Sequence, residues 1–207
     1  MSDERSPGKD PTRVSTFGPS ALATPANAIT FSRLLLTPVF IALVISQGAT
    51  WLTAALGAIV AFSDGADGIV ARRQGTTSSG AFLDPLIDKV VVLSCMATLA
   101  IHPINGHRMS WLPIAVIALR ELAMMVYRAR VAQFGISIPA RRNAKLKTML
   151  QDLAIAVVVF PWTQHLYWLH VLVLWMAVAM TIITGYEYFL DGRRLLAERA
   201  TGEPGEG

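Results

Sequence analysis

A single cysteine, Cys95, is all that the 207 residues contain, which excludes an internal disulfide framework and leaves the redox compartment open. Its place inside an apolar run makes it a small core filler. Charge is scarce too. Only 15% of the residues are charged and 53% are hydrophobic, too apolar a mixture to cover a water-soluble domain of this length. No internal repeat is evident. The first apolar run begins late and no small-residue cleavage site follows it, so no removable signal peptide is expected. The net charge of +4 comes without the interleaved aromatic platform of a nucleic-acid binder, so no nucleic-acid partner is expected. Anionic lipids and phosphate-bearing substrates account for it better.

What is present is a set of apolar blocks of about 20 residues, each long enough as a helix to cross roughly 30 Å of hydrocarbon. Six are expected, over Ile29–Ser46, Trp51–Arg72, Ala81–His102, Trp111–Ala132, Lys145–Trp162 and His165–Tyr188. The fold class is therefore an all-α integral membrane protein with six transmembrane helices in one bundle. Residues 1–20, rich in Ser, Pro and charge, read as a disordered cytoplasmic tail, 21–192 as the membrane domain, and 193–207 as a C-terminal cytoplasmic tail.

The basic residues fall almost entirely on one side of the blocks. Arg5, Lys9, Arg13, Arg72, Arg73, Arg128, Arg130, Arg141, Arg142, Lys145, Lys147, Arg193, Arg194 and Arg199 share that side, whereas the opposite gaps carry only Arg108. The basic side is cytoplasmic by the positive-inside rule, which places both termini inside a bacterial-type inner or plasma membrane. Trp51, Trp111, Trp162, Tyr167 and Trp168 gather at the other helix ends, where amphipathic rings favour the headgroup layer. His102, His107, His165 and His170 also fall near that outer face, far from any acid, and read as surface or interface residues.

Six acids interrupt the apolar blocks: Asp64, Asp67, Asp84, Asp88, Glu121 and Asp152. A charge inside a bilayer is costly unless paired, metal-bound or solvated in a cavity, so each needs a reason. Asp64 and Asp67 are three residues apart and Asp84 and Asp88 four apart, which puts each pair on one face of its helix. A loop of about eight residues joins those helices, and all four carboxylates lie one to two turns from the cytoplasmic boundary. Such a cluster would repel itself apart without hard divalent cations on its oxygens. Gly65, Gly68 and Gly80 leave bare helix surface beside these acids for a ligand to approach.

The run Asp64-Gly65-Ala66-Asp67-Gly68-Ile69-Val70-Ala71-Arg72, then Gly80, Asp84 and Asp88, resembles the signature of the CDP-alcohol phosphotransferase family. Seven residues separate Arg72 from Gly80, one fewer than that signature carries. Asn27 to Arg33, Asp84-Pro85-Leu86-Ile87-Asp88-Lys89, Arg120-Glu121 and Lys145-Leu146-Lys147-Thr148 are similar to the branch of the family that makes phosphatidylglycerol phosphate, with Ala144 where a glycine is usual.

The resemblance implies a six-helix homodimeric membrane enzyme of phospholipid synthesis. In it an acceptor alcohol attacks the β-phosphorus of CDP-diacylglycerol and releases CMP. It implies a pair of metal ions, Mg²⁺ or Mn²⁺, on Asp64, Asp67, Asp84 and Asp88, with Asp88 also the general base. Asp64, Gly68, Ala71, Arg72 and Gly80 would line the cytidine diphosphate pocket. Glycerol 3-phosphate is the expected acceptor, and Arg120, Arg141, Lys145 and Lys147 are the cations that could hold its phosphate. For Arg120 a salt bridge to Asp152 or another acid is an alternative use; Glu121 is expected to orient a basic neighbour, and Asp152 to make an interhelical hydrogen bond. The alternatives on the same fold are a cardiolipin synthase, whose lipid acceptor phosphatidylglycerol would not need a cation-rich pocket for a terminal phosphate monoester, and a phosphatidylinositol phosphate synthase. A divalent-cation transporter is the rival from another class, but transport sites favour the midplane between repeated halves.

Overall fold

The computed structural model describes residues 25–74, 78–133 and 142–201, with side chains from 31–63, 86–131, 133 and 145–196. The disordered tail expected over residues 1–20 lies outside them. Among the described residues the chain forms six α-helices: α1 (Pro25–Gln47), α2 (Trp51–Gln74), α3 (Ser78–Ile101), α4 (Trp111–Gln133), α5 (Arg142–Val159) and α6 (Tyr167–Thr201).

The helix ends follow local chemistry. Helix α5 stops at Val159, short of the expected Trp162, because Pro161 forces the residue before it out of the helical region; Phe160 is extended at φ −79°, ψ 125°. A short 3₁₀ turn over Pro161–Thr163 follows, and the Thr163 hydroxyl donates to the carbonyls of Val157 and Phe160. Between α3 and α4, Asn105 (φ 50°) and Gly106 (φ 81°) make a tight turn in the left-handed region. Reciprocal backbone bonds of 2.9 and 3.0 Å between Ile104 and His107 close it. Helix α6 runs to Thr201, beyond the apolar block that ends near Tyr188, because Leu, Ala, Glu and Arg continue to favour helix after hydropathy has fallen.

Helix α1 packs against both α2 and α3, and α6 against α5 and α4; α3 joins the two groups through α4 and α5, and α2 meets α5. The core holds Phe40 and Val44 of α1, Met96 and Leu99 of α3, Ile117 of α4, Val159 of α5 and Ala177 of α6. Gly57 of α2 lets Phe40 in. A Cβ there would lie 2.9 Å from the Phe40 ring. Cys95 is buried in the same core.

The exterior is apolar and part of the interior polar. Leu35, Phe62, Leu119, Met149 and Trp162 are each at least two-thirds exposed, whereas Arg33, Thr53, Glu121, Lys147, Gln151 and Thr181 are buried. A water-soluble bundle would sort them the other way. Tyr167–Leu196 is long and apolar enough to cross a membrane; Phe31–Gln47 and Trp51–Ser63 are apolar but shorter. Aromatic rings collect at one end of the bundle, where Trp51 packs edge-on to Phe160 and Trp162 and His107 stacks on Tyr167. Gln164 ties that end together by donating to the Ala49 carbonyl at 2.9 Å.

Candidate active site

Helix α2 carries Asp64 and Asp67, and α3 carries Asp84 and Asp88, both helices resting on α1. The helical backbone keeps each pair at i,i+3 or i,i+4 spacing on one side of its own helix. The side chains of Asp64, Asp67 and Asp84 lie outside the described residues, as do those of Gly68, Ala71, Arg72 and Gly80; Arg141 lies outside them altogether. Among the described side chains, to which three of the four aspartates do not belong, no three from His, Cys, Asp or Glu gather as a metal site.

Asp88 is described. Its side chain is 21% exposed, and Arg33 of α1, 4% exposed, approaches Oδ1 with Nη1 at 3.6 Å. A guanidinium buried this deeply in an apolar helix is tolerable only beside an anion, and Asp88 supplies one. The carboxylate is nevertheless partly exposed. Hard oxygen donors on two helices, with no His or Cys on α2 or on α3 before Cys95, are a donor set that fits Mg²⁺ or Mn²⁺.

One residue on, Lys89 turns to a second polar centre built on Glu121 of α4. Lys89 Nζ lies 2.9 Å from Glu121 Oε2, and Lys147 Nζ of α5 lies 2.5 Å from Oε1. Arg120 Nη1 also reaches Oε1, at 3.0 Å. Three helices thus bring three cations onto one carboxylate that is 5% exposed. Two positive charges remain uncompensated within this group of four. Arg120 extends the network to α6, its Nη2 donating to Thr184 Oγ1 at 2.9 Å, and one turn away Gln151 of α5 donates to Thr181 Oγ1 at 3.1 Å.

The sequence-derived cations therefore separate. Arg120 and Lys147 meet at Glu121, whereas Lys145 points to the exterior from the first turn of α5. Glu121 orients basic neighbours, three of them. Lys89 and Thr184 belong to this polar centre, and Arg33 to Asp88, although sequence reasoning gave none of them a role. For Arg33 and Lys89 the signal was available, since a cation inside an apolar block demands a partner as an acid does. For Thr184 there was none, because threonine is ordinary in an apolar helix and usually bonds its own backbone.

Comparison with known proteins places these features in a wider group. Residues 23–183 match the family model described as CDP-alcohol phosphatidyltransferase. The chain is 34% identical over 177 residues to a Mycobacterium tuberculosis protein named probable phosphatidylglycerophosphate synthase, covering 83% of this chain and 82% of that one. It is 32% identical over 170 residues to the Rickettsia typhi protein named CDP-diacylglycerol–glycerol-3-phosphate 3-phosphatidyltransferase, covering 79% and 93%. A Bacillus subtilis protein of that same name is 29% identical over 181 residues, covering 79% and 92%.

Proposed function

Because the chain belongs to the CDP-alcohol phosphatidyltransferase family, whose model spans residues 23–183, we propose that it transfers the phosphatidyl group of CDP-diacylglycerol to glycerol 3-phosphate. The products are CMP and phosphatidylglycerol phosphate. The names of the relatives in Mycobacterium tuberculosis and Rickettsia typhi support this acceptor. The observation that carries it is the centre at Glu121. Lys89, the residue after Asp88 on α3, shares one carboxylate there with Arg120 and Lys147, and the excess positive charge suits a phosphate monoester with two negative charges. An uncharged or lipid acceptor would have no use for it.

In the reaction the acceptor hydroxyl oxygen bonds to the β-phosphorus, and the bond from that phosphorus to the CMP oxygen breaks. Asp88 takes the hydroxyl proton, and Arg33 holds the Asp88 carboxylate in place. Arg120 and Lys147 bind the acceptor's phosphate, which orients the hydroxyl toward Asp88. Gly68, Ala71, Arg72 and Gly80 line the cytidine diphosphate pocket together with Asp64. Asp64, Asp67, Asp84 and Asp88 would hold a pair of Mg²⁺ or Mn²⁺ ions, which would supply charge neutralisation to the diphosphate and the departing CMP.

The six helices span a membrane with both termini and the site on the cytoplasmic side, and the enzyme works as a homodimer. The apolar exterior and the basic residues at one end of the bundle support that placement. An impermeant thiol reagent added to intact cells should label Ser110→Cys in a Cys95→Ala background and leave Arg193→Cys unlabelled until the cells are opened. The reverse pattern would invert the topology.

The decisive assay incubates purified protein with CDP-diacylglycerol, Mg²⁺ and separate acceptors: glycerol 3-phosphate, phosphatidylglycerol and inositol phosphate. CMP release should require glycerol 3-phosphate, and the lipid product should carry a terminal phosphate monoester. CMP release with phosphatidylglycerol or inositol phosphate instead would assign a different acceptor.

A further inference from the structure

The Arg120 guanidinium is held from one side by Glu121 and from the other by α6. On α6, Thr184 uses its hydroxyl twice: it donates to the Met180 carbonyl at 2.7 Å and accepts from Arg120 Nη2 at 2.9 Å. The hydroxyl is thus fixed to its own helix, and its lone pair points at the guanidinium. The next residue is Gly185. A Cβ there would sit 2.8 Å from Arg120 Nε, 3.4 Å from Cγ and 3.6 Å from Cζ, so the side chain lies directly on bare helix backbone. Nε itself is buried and has no hydrogen-bond partner among the described residues. A cationic donor without an acceptor is an expensive feature, and a ligand oxygen is one way to complete it.

Resting on the glycerol 3-phosphate reading above, we infer that Thr184 and Gly185 are positioning residues that set acceptor specificity by fixing the guanidinium of Arg120 for a phosphate monoester. Thr184 sets the rotation of the guanidinium plane through Nη2. Gly185 sets its depth, since any side chain there drives the guanidinium away from α6. That displacement is the cheap one, because the clashing atom belongs to a flexible side chain and the α6 backbone need not move. Arg120 would lose its aim while keeping its bond to Glu121. Substrate discrimination would then reside on a helix that contributes no charge to the site.

The test uses the full-length enzyme in lipid–detergent micelles and measures KM for each substrate separately. Thr184→Val should raise KM for glycerol 3-phosphate about tenfold, as expected for losing one partner of a charged hydrogen bond. Its kcat and its KM for CDP-diacylglycerol should stay within about twofold, because no contact to the reacting atoms changes. Thr184→Ser should restore the acceptor KM. Gly185→Ala should repeat the Thr184→Val pattern, and inhibition by inorganic phosphate against glycerol 3-phosphate should weaken in parallel. If Gly185→Ala fails to fold, the Val and Ser variants at 184 decide alone. An unchanged acceptor KM in Thr184→Val, or a parallel rise for both substrates, overturns the inference and leaves the functional reading standing. A wild-type enzyme that releases no CMP with glycerol 3-phosphate overturns that reading, and the inference with it.

Discussion

Replacing Glu121 with Gln removes the one carboxylate that Lys89, Arg120 and Lys147 share, at nearly constant side-chain volume. Glu121 is 5% exposed and Lys147 8%, so water cannot take over its role. The group's excess charge rises from two to three, and three charge-assisted bonds fall to the neutral contacts one amide can make. Breaking a buried ion pair from one side costs about 3–5 kcal/mol, because the remaining charge stays buried. For a chain of this length that corresponds to a fall in unfolding midpoint of roughly 6–20 °C. Lys147→Met is the informative counterpart. It lowers the excess charge to one and leaves Glu121 with Lys89 and Arg120, so it should destabilise the fold by only about 1–2 kcal/mol. The two variants should therefore rank oppositely in two assays. Thermal unfolding in detergent should be damaged more by Glu121→Gln, and per folded molecule the rise in KM for glycerol 3-phosphate should be steeper in Lys147→Met. Equal unfolding midpoints for wild type and Glu121→Gln would refute the idea that this carboxylate holds the cations together.

Asp88→Asn should cut CMP release per folded molecule by about 10²–10⁴-fold, the usual reach of general-base catalysis, and lower the unfolding midpoint as well, since it takes the anion from beside the buried Arg33 guanidinium; retention of a tenth of the wild-type rate per folded molecule would remove Asp88 from the chemistry. Excess EDTA should abolish CMP release, and Mg²⁺ or Mn²⁺ should restore it; turnover that persists under chelation would dismiss the metal-binding role of the aspartates. Gly57→Val should wedge α2 off α1, since even a Cβ would lie 2.9 Å from the ring of Phe40, which is 2% exposed. Overpacking of this kind costs about 1–3 kcal/mol, read as a lower unfolding midpoint with unaltered KM values; an unchanged midpoint would show that the two helices are not in tight contact there.

The helices were legible because apolar length is a coarse signal that packing rarely overrides. Trp51 and Trp111 begin α2 and α4 where the apolar blocks begin. The errors sit where hydropathy and helix propensity part company. Helix α5 ends early, at Val159, because Pro161 acts on backbone geometry, and α6 outlasts its apolar block because charged residues can still be good helix formers. In the site, burial cost singled out Glu121, and the family resemblance pointed to Arg120. Their mutual use was not legible, since adjacent residues on a helix project about 100° apart and which partners they find depends on neighbouring helices. Sequence offered Asp152 or another acid as a partner for Arg120; the bundle supplies another acid, Glu121, and adds Thr184. A network that joins residues 89, 120, 147 and 184 is a product of tertiary packing, with no local spacing to announce it.

The distribution of charge in the bundle bears on how the site meets its substrate. A surface cluster of three cations would be hydrated, mobile and screened, and an incoming phosphate would have to order it. Here Lys147 is 8% exposed and Arg120 17%, and both are already tethered to a fixed carboxylate. Their ordering cost is met when the chain folds, and less of it is left to binding. The tether also sets a limit. A carboxylate that fully neutralised the cations would leave nothing for a phosphate, and no carboxylate would leave a core too charged to fold. One acid among three bases lies between those extremes. Helix packing brings these charges together: α3 touches both α4 and α5, so Lys89 of α3 and Lys147 of α5 can converge on the one carboxylate that α4 presents.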